Sequence, residues 1–197
     1  MFVQEMIDAA ASQFKQNFML FCENENMDHL TPALAERFSS GLKTALAMAG
    51  SAAYQVFLQG YECRQDVVVV QGETFRFKAV REKSFLTPFG EMTLPRRCFQ
   101  NKADDKSHVP LDVAWGMQGQ YMACEVREAV LFSAALITPE ETATLLRKCS
   151  LFQPHPTAIK HVVEKTGAAI EAQREGLEQA IRAQDLSRSH PGRGNQH

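Results

Sequence analysis

The sequence has few of the features that mark a secreted or membrane-embedded protein. Its five cysteines are odd in number, widely spaced and never arranged as a CxxC pair, which favours reduced thiols over a disulfide framework. No stretch approaches the roughly 20 apolar residues that a membrane-spanning helix needs. The start of the chain also lacks the basic and apolar regions of a secretory signal. We therefore expect a cytoplasmic protein without a membrane partner.

The chain also lacks a dominant sign of charge. Its 21 Lys and Arg residues against 23 Asp and Glu residues give a net charge of -2, so overall charge does not draw it to nucleic acid. With 45% hydrophobic and 22% charged residues, the composition is typical of a folded protein rather than a disordered one. Any surface for nucleic acid must therefore be a local concentration of basic residues.

Hydrophobic spacing divides the chain into regions that together predict an α+β fold. Residues 1–63 place apolar side chains every three or four positions, which predicts two helices, the second starting at Pro32 and stopping at Gly60. Small residues cluster at 45–53 and would let another helix approach closely. Acidic residues outnumber basic ones in this region, so it suits packing or dimerisation better than DNA binding.

The remaining regions are predicted to be a small antiparallel sheet, a second helical unit and a tail. Residues 66–120 alternate apolar and polar side chains and contain a Pro/Gly turn at Thr87–Gly90, which predicts a hairpin followed by a loop. Residues 121–184 return to helical spacing. Residues 185–197 are polar, without hydrophobic periodicity, and are predicted to be disordered.

Basic side chains concentrate in the predicted sheet, at Arg76, Lys78, Arg81, Lys83, Arg96 and Arg97. Such residues bind DNA phosphates by displacing condensed counterions, so Arg96 and Arg97 are candidate DNA contacts. The alternative is an ordinary solvated face of the sheet, which carries charge for solubility.

The strongest local pattern is a predicted helix-turn-helix in the second helical unit. Thr138-Pro139-Glu140-Glu141 has a capping box together with proline at the first helical position. This helix should end near Cys149, and a short connection leads to a second helix beginning at His155-Pro156. Gly167 is expected to break or bend that second helix.

The exposed face of the second helix supplies the other candidate DNA contacts. We expect Thr157, Lys160 and His161 to reach base edges or phosphates in the major groove, with Lys165 near the backbone. The alternative is a helical hairpin that only packs on its neighbours. Spacing alone does not separate these two hypotheses.

No residue set in the sequence is typical of a catalytic or metal site. Asp104 and Asp105 lack a third ligand at suitable spacing, and Cys149, His155 and His161 lack a fourth. A cysteine nucleophile at Cys149 would lie at a helix C-terminus, where the dipole opposes thiolate formation. We therefore expect neither a cofactor nor enzymatic activity.

The segment from Lys83 to Arg97 resembles the T-x-x-G-x-hydrophobic-x-hydrophobic-x-R hairpin of ISKra-type insertion-sequence transposases. Four later features keep the same order: Pro-Leu-Asp at 110–112, a helix with Glu125-Val126, a helix start at 137–143, and a helix ending at 162–167. The resemblance covers roughly residues 78–183. It depends on the ordered set, because no single motif within it is specific.

The resemblance implies the non-catalytic, N-terminal part of a transposase, which binds DNA at the ends of the element. In that family a later RNase H-like domain with three metal-binding carboxylates would perform the chemistry, and we interpret the polar tail as the end of a truncated product. The implied partners are DNA and the full-length transposase, which this chain could inhibit by occupying element ends. The alternative is a helical interaction protein that forms homo-oligomers and has no nucleic-acid role.

Overall fold

The structure of the protein is a computed structural model that describes residues 2–103, 105–174, 176, 178–179 and 181–182. In that part of the chain, helices combine with a four-stranded antiparallel sheet, which confirms the predicted α+β fold. The predicted disordered tail at 185–197 lies outside the described residues.

Residues 2–60 form a helical hairpin. Helix α1 runs over Phe2–Asn24 and helix α2 over Pro32–Gly60. The hydroxyl of Thr31 accepts a hydrogen bond from the Leu34 amide at 3.1 Å, which caps α2 just before its first proline. Aromatic rings of the two helices pack together, with Phe18 and Phe38 at 5.6 Å between centroids.

The small residues of α2 allow close contacts within the chain itself. Ala45 is fully buried. A Cβ atom on Gly50 would overlap the ring of Phe89, which lies in the turn between two strands of the sheet. Part of this stretch therefore packs against the chain's own sheet.

The sheet has the strand order β1-β2-β3-β4, with β1 over Val67–Val70, β2 over Glu73–Thr87, β3 over Gly90–Gln100 and β4 over Ser107–His108. The predicted turn joins β2 to β3, where the Thr87 hydroxyl donates to the Gly90 carbonyl at 2.8 Å. Gly90 has a φ of +104°, a backbone conformation that would strain any residue with a side chain. A bulge between Phe77 and Ala79 interrupts the alternation of faces that the sequence predicts along β2.

Four further helices follow in the described residues: α3 over Pro110–Ala114, α4 over Cys124–Ala134, α5 over Pro139–Cys149 and α6 over Pro156–Ala172. Two of the predictions are wrong here. The loop expected after the hairpin contains α3, which begins at Pro110, and α6 continues through Gly167 without a break. A solvent-exposed glycine costs a helix only about 1 kcal/mol, which packing elsewhere on α6 offsets.

Two hydrophobic cores organise the molecule. The first joins α2, the sheet and α3, and consists of Leu58, Phe85, Met92, Leu94, Leu111 and Met117. The second joins α4, α5 and α6, with Val126, Leu146 and Ile159 at its centre. Leu86 of β2 belongs to the second core, so a single strand contributes to both.

Candidate nucleic-acid interface

Helix α5 begins with the capping box that the sequence predicts. The Thr138 amide donates to Glu141 Oε2 at 2.9 Å, and the Glu141 amide donates to the Thr138 hydroxyl at 3.3 Å. The hydrogen bond from the Thr138 backbone lowers the pKa of the Glu141 carboxyl. The start of α5 is therefore fixed by its own local sequence.

The connection between α5 and α6 is short and well bonded. The Ser150 hydroxyl contacts the carbonyls of Leu146 at 2.5 Å and Phe152 at 2.9 Å, and the Phe152 ring enters the second core. His155 Nδ1 accepts a hydrogen bond from the Thr157 amide at 3.2 Å, so the histidine caps α6. These contacts fix the point at which α6 leaves the turn.

Helix α6 has one buried side and one solvent-exposed polar side. Ile159 is fully buried against α4 and α5. The exposed side carries polar residues three or four positions apart, namely Thr157, Lys160, His161, Glu164 and Lys165. All four candidates predicted on this helix therefore share one exposed face. An α-helix presented in this way fits the major groove, where side chains of its first turns reach base edges.

Lys160 already has a partner within the helix pair. Its ammonium lies 2.8 Å from Glu140 Oε1, which ties the first turn of α5 to α6. Hydrogen bonding to Lys160 lowers the pKa of Glu140, and the same contact raises the pKa of Lys160. Both side chains are more than half exposed. Water competes strongly for such a pair, so the ion pair holds Lys160 only weakly.

A cleft of about 440 Å³ borders the start of α6. Thr157 and His161 line it together with Tyr121 and Met122. The Thr157 hydroxyl also lies 3.1 Å from His155 Nδ1. Burial, assisted by nearby Glu91, raises the pKa of the Tyr121 phenol. Polar candidate contacts therefore stand beside a partly apolar wall, an arrangement that suits the edge and methyl group of a base.

The structure removes Arg96 from the predicted DNA contacts. Its guanidinium lies 2.5 Å from Asp112 Oδ2, and only 8% of its side chain is exposed. Lys83 approaches the same carboxylate oxygen at 3.7 Å. Both cations also lie over the Phe85 ring. Arg96 is thus buried between β3 and α3, out of reach of a phosphate, whereas Lys83 of β2 is 30% exposed and shares the same carboxylate.

Arg97 is also engaged within the protein. It pairs with Asp66 at 2.6 Å, donates to the Cys63 carbonyl at 3.1 Å and stacks over Phe77. Adjacent residues of a strand point to opposite faces of a sheet, so Arg96 and Arg97 do not form one surface. The remaining predicted basic residues of β2 are Arg76, Lys78 and Arg81, which are exposed.

Two further basic residues belong to the candidate interface. Arg147 and Lys148 are exposed in the last turn of α5, and Arg147 lines a cleft of about 430 Å³ with Glu140 and His155. The sequence offered a signal for them, a basic pair near the predicted helix end. That signal is ambiguous, because basic residues in the last turn also complement the helix dipole.

A lysine of the α1–α2 hairpin contacts the end of α5. Lys43 of α2 donates to the carbonyls of Arg147 at 3.4 Å and Lys148 at 3.2 Å. A lysine at this position satisfies carbonyls that the end of α5 leaves without helical partners. The backbone of the helix-turn-helix is thereby fixed to α2.

In the described residues, no three His, Cys, Asp or Glu side chains are grouped so that they could hold a metal ion. That same part of the chain contains no helix with the length and apolar character needed to cross a membrane. Comparison of the chain with known protein families, with curated proteins and with solved structures found no match in any of the three.

Proposed function

We propose that this protein binds duplex DNA through helix α6, as the DNA-recognition part of an insertion-sequence transposase acting in the cytoplasm. The observation that carries the proposal is the exposed polar face of α6, held on a three-helix core and fixed at its start by the His155 cap. The resemblance to ISKra-type transposases supplies the identity of the DNA, the ends of a mobile element. In this proposal the chain recognises DNA and performs no chemistry itself.

The local charge supports a modest, salt-sensitive affinity. Lys160 and Lys165 lie on the exposed face of α6, and Arg147 and Lys148 lie at the end of α5. Glu140 and Glu164 reduce the positive charge of this surface, and the whole chain has a net charge of -2. We therefore expect few phosphate contacts. Each neutralised phosphate contributes about 0.9 to the slope of log affinity against log salt concentration.

Fluorescence anisotropy with labelled duplex DNA across a salt series tests the proposal. The wild-type protein should bind with an affinity that falls as salt rises, and Lys160→Ala should reduce the slope by about 1. Lys15→Ala on α1 is the matched control, because it removes an exposed lysine from a different part of the molecule. Absence of binding at every salt concentration would contradict the proposal.

Selection from a random duplex library separates recognition of an element end from general DNA affinity. The wild-type protein should enrich one sequence, and Thr157→Ala or His161→Ala should relax the preference at particular positions. Enrichment of no sequence, despite salt-sensitive binding, would contradict recognition of an element end and leave a nonspecific DNA-binding protein.

One observation favours a second candidate function, that of an interaction protein. None of the described residues of α1 is buried, although the helix is 23 residues long and carries a strong aromatic stripe. The stripe packs on α2 but stays only half-buried, and a partly exposed apolar stripe commonly has a partner. This alternative predicts a stable oligomer that has no affinity for DNA at any salt concentration.

A further inference from the structure

Three basic side chains share one face of the β2–β3 hairpin. Arg81 lies directly opposite Arg96 in the strand register, and Lys83 follows two residues further along β2. Residues two apart on a strand share a face of the sheet, and so do residues directly opposite on an antiparallel neighbour. Lys83 and Arg96 also lie over the same ring, that of Phe85, as this assignment of faces requires.

Only one carboxylate in the described residues balances these three cations. Arg96 pairs with Asp112 Oδ2 at 2.5 Å, and Lys83 lies 3.7 Å from the same oxygen. No other described carboxylate lies within ion-pair distance of the three, and Arg81 has no ion-pair partner in that part of the chain. Three cations against one carboxylate leave an excess of two positive charges on this face.

This excess charge is unfavourable in the protein alone. Arg81 and Arg96 are cross-strand neighbours, and like charges directly opposite each other destabilise a sheet. Only 8% of the Arg96 side chain is exposed, so salt screens its charge poorly. Its Nε atom also lacks a hydrogen-bond partner among the described residues. An anion bound at this face would relieve the repulsion.

Two of the three side chains can reach an anion from solvent. Arg81 is exposed, and 30% of the Lys83 side chain is accessible. The 3.7 Å separation of Lys83 from Asp112 is longer than a hydrogen bond, so the ammonium keeps its donors for another acceptor. Arg96 lies too deep to touch the anion and acts through its charge.

We propose that Arg81 and Lys83 bind a phosphate group on this face of the sheet. The planar guanidinium of Arg81 donates to two phosphate oxygens, and the ammonium of Lys83 donates to a third. A phosphomonoester carries about 1.5–2 negative charges at pH 7, which matches the excess of two cations. The charge therefore favours free phosphate or a phosphomonoester over the DNA backbone. The site does not depend on the proposed DNA binding through α6.

Phosphorus-31 NMR of sodium phosphate with the full chain tests the site directly. Chloride keeps the ionic strength constant, and saturable broadening of the phosphate signal on addition of protein measures the dissociation constant. Arg81→Gln and Lys83→Gln should each weaken binding about tenfold, because each removes charge-assisted hydrogen bonds. The matched control is Arg76→Gln, which removes an arginine of the same strand that lies opposite the neutral Gln100. It should bind phosphate as the wild type does.

Urea denaturation provides a second readout, which separates the site from a general effect of phosphate on stability. In chloride, Arg81→Gln should raise the denaturation midpoint, since it removes the like-charge neighbour of Arg96, whereas Arg76→Gln should not. Phosphate should raise the midpoint of the wild type more than that of Arg81→Gln, because a ligand that binds only the native state stabilises it. Far-UV circular dichroism verifies that Lys83→Gln is folded.

Duplex DNA identifies the source of the phosphate. A salt slope lowered by about 1 in Arg81→Gln would assign the site to the DNA backbone, and phosphate binding with an unchanged slope would assign it to a free phosphate or a phosphomonoester. Either result supports the site. Absence of saturable broadening, or equal weakening by Arg76→Gln, would overturn it. DNA binding that still requires Lys160 would then leave the proposed function standing.

Discussion

Arg96 and Asp112 place opposite charges where only 8% of either side chain reaches solvent. Water cannot replace the lost partner of a buried ion, so removal of one member leaves an uncompensated charge. Arg96 Nε and Asp112 Oδ1 also lack hydrogen-bond partners in the described residues. The pair therefore links β3 to α3. The free energy lost in burying the two charges offsets much of their attraction, whereas loss of one partner is strongly destabilising.

Replacing Arg96 should affect folding rather than DNA binding. Arg96→Ala is expected to lower the free energy of unfolding by about 3–5 kcal/mol, measured by urea denaturation. The salt dependence of DNA binding by the remaining folded protein should match that of the wild type. Arg76→Ala, which removes an exposed arginine from β2, is the control and should be nearly neutral for stability. A stable Arg96→Ala protein with a shallower salt slope would restore Arg96 as a DNA contact.

Glu140 should restrain DNA binding, because it holds the Lys160 ammonium at 2.8 Å. Glu140→Gln removes the competing charge, and we expect affinity for duplex DNA to rise several-fold at low salt. Glu36→Gln changes an exposed glutamate on α2 and controls for the change in net charge. An unchanged or weaker affinity in the Glu140→Gln protein would show that Lys160 does not contact phosphate.

At the scale of elements, a hydrogen bond beside the first core links the helical hairpin to α3. Trp115 Nε1, just after α3, donates to the Tyr54 hydroxyl of α2 at 3.0 Å, and the two rings meet edge to face. Burial raises the pKa of the Tyr54 phenol above its ordinary value, and the bond from Trp115 partly opposes that rise. The neutral phenol is therefore the form that the fold accommodates.

Stability should consequently fall in alkali. Because the folded-state pKa of Tyr54 is raised, its stabilising effect is complete below the unfolded pKa of about 10 and is lost as pH rises through the folded-state pKa. Tyr54→Phe should cost about 1 kcal/mol at neutral pH, through the lost hydrogen bond, and should reduce the alkaline decline. Urea denaturation at pH 7 and above pH 10 measures both effects. An equally steep decline in the variant would assign it to other groups, among them Tyr121.

Elements defined by adjacent residues were predictable from the sequence. The Thr138 capping box, the Thr87–Gly90 turn and the start of α6 all depend on contacts within a few positions. The burial of Arg96 depends on Asp112, 16 residues away, and no local sequence pattern predicts that partner. Arg96 and Lys160 are both basic residues in the sequence, but only the fold places one in a core and the other in solvent.

At the scale of the whole molecule, Leu86 joins the two cores. Its amide donates to the Tyr121 carbonyl and its carbonyl accepts from the Ala123 amide, both at 2.9 Å. Its side chain packs among α4, α5 and α6, while its neighbour Phe85 belongs to the core beneath α2. The sheet and the helix-turn-helix should therefore unfold together.

Leu86→Ala tests this coupling. A buried leucine reduced to alanine costs about 2–5 kcal/mol, and both cores should lose that stability at once. Trp115 fluorescence and far-UV circular dichroism should report one coincident transition in the wild type and in the variant. Val80→Ala, at a position of β2 that is 58% exposed, is the control. Two separated transitions in the wild-type protein would show that the cores are independent.

The hydrogen bonds from Lys43 to the end of α5 fix the helix-turn-helix at a set distance along α2. Pro32, the first residue of α2, is separated from Lys43 by about 17 Å of helix axis, at 1.5 Å per residue. Because α2 is one continuous helix from Pro32 to Gly60, this separation is set by the number of residues that precede Lys43. Removing one helical turn there would bring Pro32 and the end of α5 about 5.4 Å closer along the axis of α2. The length of one helix therefore sets the distance between two otherwise separate parts of the molecule.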